Sequence, residues 1–121
     1  MNGNEYYNEI AQLLYNESPV VDMCINLLAY RRGDNVFAIN AWFDSNLSVE
    51  NNIDISNHAV IEFTKLLNGL YGYFVEGKLG DWNVIHFVIS PGGDSFNVDF
   101  EFSEDLVAEN IFWNEYIHKF M

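Results

Sequence analysis

The chain has 121 residues, and 5 Lys plus Arg against 18 Asp plus Glu leave it with a formal charge of -13. Such a length is expected to fold as one domain, residues 1–121, around a single core. Half of the residues are hydrophobic and 17% are aromatic, which excludes a disordered acidic tail, and the scattered cations Arg31, Arg32, Lys65, Lys78 and Lys119 cannot form the basic footprint of a nucleic-acid binder.

Tyr6, Ile10, Leu13 and Leu14 recur on one helical face, with Glu5 and Glu9 near the positive end of the dipole, so a first helix is expected up to Ser18-Pro19. Val20 to Tyr30 alternates as a strand, in which Val21, Met23, Ile25, Leu27 and Ala29 oppose Asp22, Cys24, Asn26, Leu28 and Tyr30. Arg31 to Asn35 contains the Gly and Asn of a chain reversal, and Val36 to Phe43 completes a hairpin. Asp44 to Asn57 reads as a loop ending in a helix cap at Ser56 or Asn57. The long helix that follows has a buried stripe of Val60, Phe63, Leu67, Leu70 and Phe74, with Gly69 and Gly72 marking close packing or a bend, and it ends at Gly77 and Gly80.

Trp82 to Ser90 is apolar on both parities, as for a central strand, and Pro91-Gly92-Gly93-Asp94 is a turn. Phe96, Val98, Phe100 and Phe102 then alternate with Asn97, Asp99, Glu101 and Ser103 in an amphipathic strand. Ser103, Glu104 and Asp105 open a last helix carrying Leu106, Trp113, Ile117 and Phe120 on one side. The order α-β-β-α-β-β-α predicts an α+β fold, a four-stranded, mainly antiparallel sheet packed with helices.

Candidate chemistry is sparse. His58, His86 and His118 have no Cys, His or carboxylate partner at a metal-ligand spacing, and no cofactor motif occurs. The single Cys24 cannot form an internal disulfide and has no catalytic signature around it. Asp99 and Glu101 lie two apart on one strand face, at a separation of about 7 Å that suits a glycosidase pair or a metal clamp, although an exposed acidic strand face is the stronger explanation of them. No apolar run approaches the roughly 20 residues of a membrane span. Met1 to Glu5 has no basic cluster and leads into no apolar run, so no signal peptide is expected and the expected location is the cytoplasm.

A binding surface is the better reading. Parity places Phe96, Phe100 and Phe102 toward the helices and Asp99 and Glu101 outward. On the neighbouring strands Asp22, Asn26 and His86 are expected to share that outward face, with Asn40 and Trp42 joining it on one of the two parities open to Val36 to Phe43, where both sides are apolar, and with Asp44 beyond it. Carboxylates and amides around an aromatic anchor match a protein interface, and the negative field favours a basic partner; the alternative is that Trp42, Trp82 and Trp113 belong to the core.

The C-terminal third carries a recognisable order of motifs. Trp82, the apolar run Val84 to Ile89, the Gly92-Gly93 turn, Phe96-x-Val98-Asp99-Phe100-x-Phe102, Glu104-Asp105 and a late Trp113-x-x-Tyr116 together resemble the YezG-like immunity proteins. The resemblance covers about a third of the chain in its specific part. It implies an intracellular antitoxin, without catalysis or cofactor, that binds and neutralises the C-terminal nuclease domain of a cognate polymorphic or contact-dependent growth inhibition toxin. It assigns no contact residue. The rival readings are an acidic nucleic-acid mimic or adaptor that binds a basic host protein, and a small hydrolase built on Asp99 and Glu101.

Overall fold

Asn2 and Glu5 form a capping box, each side chain accepting from the other's backbone N–H, and start helix α1, Gly3–Glu17. Its Ile10 and Leu14 are buried, and the chain turns extended at Ser18, before Pro19. The structure, a computed structural model, describes all residues from 1 to 121. Strands β1 (Ile25–Gly33) and β2 (Val36–Phe43) form a hairpin, followed by α2 (Asn57–Gly77), β3 (Val84–Ile89), β4 (Phe96–Glu101), α3 (Glu104–Val107) and α4 (Trp113–Tyr116). A 3₁₀ turn, Pro91–Gly93, joins β3 to β4, and another, Ile117–Phe120, follows α4. The four strands pair antiparallel throughout in the order β2-β1-β3-β4. The fold is α+β.

Helices α1 and α2 pack on one face of the sheet. Ile25, Leu27 and Ala29 of β1, Ala41 of β2 and Ile85, Phe87 and Ile89 of β3 meet Ile10, Leu14, Phe63, Leu67 and Leu70 in the main core. Full burial of one such side chain is worth about 1.5–3 kcal/mol. Ser56 caps α2 by accepting from Ala59 N–H at 3.1 Å. Gly69 lets the helices approach, because a Cβ there would lie 2.5 Å from the Tyr6 ring.

Three expected features shift. The first strand begins at Ile25 rather than Val20, because residues 20–24 have no strand partner, and Val21 and Met23 are exposed. The strand instead continues to Gly33 and reverses through Asp34 and Asn35, with Asn35 in the left-handed region and a bulge between Arg31 and Gly33. On α2 the inner stripe starts at Ala59, leaving Val60 exposed, and left-handed Lys78 rather than a glycine caps the end.

The third shift concerns the last helix, which is broken. Glu109 adopts φ 59°, and Asp105 O accepts from Asn110 N and Ile111 N, which closes α3 after one turn. The chain then re-enters as α4, and this kinked segment lies across the sheet face opposite α1 and α2. There Leu106, Trp113 and Tyr116 bury Leu28, Trp42, Leu47 and Val84 in a second core.

Candidate interaction surface

Directly opposed residues of an antiparallel ladder share a face. Asn26 lies opposite Trp42, Leu28 opposite both Asn40 and His86, His86 opposite Asp99, and Val84 opposite Glu101. The register therefore brings Asn26, Asn40, Trp42, His86, Asp99 and Glu101 to one face, and it fixes the parity of β2, which is apolar on both sides in sequence. Asp22 lies outside it, on the irregular segment before β1, and Asp44 follows β2 in the left-handed region, both exposed.

That face is not open to solvent across its width, which corrects the expected outward position of Asn26 and Trp42. Trp42 is completely buried and Asn26 is 3% exposed, because Leu28, Val84 and Trp42 form an apolar strip that the C-terminal segment covers. Asn26 Nδ2 donates to Asp44 O at 2.8 Å and also faces Trp42 O, so it closes the end of the hairpin. Asn40 Oδ1 accepts from Trp113 Nε1 at 2.8 Å. Asn40 and Trp42 hold the C-terminal segment on the sheet, and Asn26 fastens the hairpin end beside it.

The open part of the face is its β4 border. A recess of about 230 Å³ lies between the sheet and the C-terminal segment, with His86, Asp99, Glu101, Tyr116 and Phe120 in its lining. Asp99 and Glu101 are exposed. Glu101 accepts from the Tyr116 hydroxyl and is paired with Lys119 at 3.3 Å. The Tyr116 hydrogen bond lowers the Glu101 pKa, with Lys119 acting in the same direction, whereas burial and the same carboxylate raise that of Tyr116.

His86 stacks on Trp42 with ring centroids 5.8 Å apart and meets Phe120 edge-on. Asn26 Nδ2 already donates to Asp44, so Asn26 Oδ1 is the acceptor for His86 Nε2–H at 3.0 Å. Burial lowers the His86 pKa below 6.5, against the opposing pull of Asp99. Between its folded and unfolded pKa values the unfolded chain binds the extra proton, so this contribution to stability is lost as pH falls from about 6.5. Urea unfolding between pH 7.5 and 5 is expected to show this decline. In His86→Gln, which keeps an amide donor toward Asn26, the same part of the profile should flatten; an unchanged slope would show that His86 does not carry it.

The charges beyond the recess are one-sided. From Leu79 to His118 the chain carries eight carboxylates and no Lys or Arg. Only one of the eight, Glu101, makes a salt bridge. Glu104 and Asp105 follow directly on β4, beside exposed Phe102 and Val107, and Glu109 and exposed Phe112 come next. The two arginines line a cleft of about 560 Å³ with Tyr71, Trp82 and Trp113, a cleft that Phe102, Val107, Glu109 and Phe112 of this border also line, and Glu109 forms no salt bridge with them. There the Arg31 guanidinium sits 3.9 Å over the Tyr71 ring and pairs with Asp34, while Arg31 Nε and Trp82 Nε1 are buried without a partner.

No three or more His, Cys, Asp or Glu side chains are grouped to hold a metal ion, and no helix is long and apolar enough to cross a membrane. Compared with known proteins, the chain matches no family model and no curated sequence. Sequence reasoning overlooked Tyr116 and Lys119 as partners of Glu101, and Glu104, Asp105 and Glu109 as an extension of the acidic border. The forty-residue stretch without a cation was the available signal.

Proposed function

We propose that the chain is an immunity protein, an antitoxin that binds and neutralises the basic C-terminal nuclease domain of a cognate polymorphic or contact-dependent growth inhibition toxin. The observation that carries this reading is the border formed by β4 and α3, where carboxylates almost free of cationic partners stand beside exposed apolar side chains. A nuclease is basic where it holds nucleic acid, and such a border complements it. The order of motifs from Trp82 to Tyr116 supports the same reading.

The chain then acts by binding, without catalysis of its own. Glu101 is engaged by Tyr116 and Lys119, and His86 is held by Asn26, Trp42 and Phe120, which leaves neither placed as a free base. Neutralising a lethal enzyme calls for nanomolar affinity or better, about -12 kcal/mol. Rim carboxylates accelerate capture, and apolar contacts such as those offered by Phe102 and Phe112 slow release.

Co-expression with the C-terminal domain of the cognate toxin is expected to restore growth to cells that the domain alone kills. Continued killing at an excess of this chain rejects the reading. A housekeeping partner recovered at the same border would favour the adaptor reading instead.

A further inference from the structure

We propose that the basic partner docks by adding a strand to the open edge of β4. This inference takes the partner's chemistry from the reading above and adds the mode of recognition.

The sheet has two edges, and they differ. The β2 edge is occupied along its C-terminal part: Phe43 N bonds Asn51 O at 3.0 Å, Ile53 N bonds Ala41 O at 2.8 Å, and Trp42 bridges to Asn52. The β4 edge has no such cover. Ser90 N bonds Ser95 O at 2.9 Å, and the alternation of an antiparallel ladder then turns the backbone of Asn97 and Asp99 toward β3 and that of Phe96, Val98 and Phe100 outward. No backbone bond outside the sheet engages those three residues. An edge with unpaired N–H and C=O groups is a template for another strand.

The side chains define which strand. On one face Asp99 and Glu101 project from β4, with Glu104 and Asp105 just beyond its end; on the other, Phe96 is 38% exposed beside half-buried Val98 and Phe100. An added strand pairs its own alternating side chains with these. The matching segment therefore carries Lys or Arg at every second position and apolar residues between them. A second copy of this chain is disfavoured at the same edge, because it brings the carboxylates of two β4 strands together.

The test uses the purified full chain, the C-terminal domain of the cognate toxin, and an eight-residue peptide of alternating lysine and valine. Amide hydrogen exchange of Phe96, Val98 and Phe100 should slow at least 10-fold in the toxin complex and, at high peptide concentration, with the peptide. Val98→Pro removes an outward N–H and leaves the bonds to β3, so it should melt within a few degrees of the parent and bind the toxin domain at least 100-fold more weakly. Neutralisation by the parent chain without protection of the three amides overturns strand addition and leaves the immunity reading standing. Protection by the peptide without toxin binding rejects the immunity reading and retains the docking edge. Failure of both probes to protect the amides overturns the inference even if Val98→Pro does not fold.

Discussion

Trp42→Ala is expected to lower the unfolding free energy by about 4 kcal/mol and the melting temperature by roughly 15 °C. Trp42 is fully buried between the sheet and the C-terminal segment, against His86, Phe120 and the rest of the second core, and its indole N–H faces Ser45 O. Truncation removes its transfer free energy and leaves a cavity that the strands cannot close. Against a total stability of about 5–15 kcal/mol, that loss is a large fraction. Amides of α4 and of the following turn should exchange faster than those of α1 and α2, since Trp42 touches the former. If Trp42 were instead an exposed binding anchor, alanine would leave the melting temperature unchanged and weaken only partner binding. Chemical denaturation followed by the remaining tryptophans, with exchange by mass spectrometry, separates the two outcomes.

Neutralising the acidic border is expected to have the largest effect on function. Asp99→Asn, Glu104→Gln, Asp105→Asn and Glu109→Gln together change the formal charge from -13 to -9. Glu101 is left in place because Tyr116 and Lys119 depend on it. Association with the toxin domain should slow by about 10- to 100-fold at low ionic strength, while dissociation changes little. At about 0.5 M salt the difference should largely disappear, because screening shortens the reach of the field to a few ångströms. A control with the same net charge, Glu9→Gln, Glu50→Gln, Asp54→Asn and Glu76→Gln, removes exposed carboxylates from other parts of the chain and should slow association much less. Equal effects of the two variants would show that net charge, not its placement, governs capture.

The parity of β4 was legible because every second residue from Phe96 to Glu101 is polar, and a one-residue slip would have buried Asp99 and Glu101. The same clarity holds at Ser56, whose hydroxyl starts α2, and at Ser18-Pro19, where α1 stops. The cover on the polar face was less legible. A helix from Ser103 to Phe120 satisfies local periodicity, and the break falls at Glu109, a residue type that gives no warning of a left-handed conformation. Once the chain turns there, Trp113 and Tyr116 reach Asn40 and Glu101 across 73 and 15 residues, contacts that no local pattern encodes. Strand order was hidden for the same reason: β1 is central because it pairs with both β2 and β3, which leaves β4 at an edge. Residues 20–24 alternate like a strand but have no ladder to join, since pairing and not alternation makes one.

On the proposed function, this acidic chain neutralises a basic nuclease by binding it. The direct measurement is a titration of the proposed toxin partner's purified C-terminal domain with this protein while cleavage of nucleic acid is followed. Cleavage should fall linearly and reach zero near one equivalent. Undiminished cleavage at tenfold excess, with both proteins folded, would contradict it.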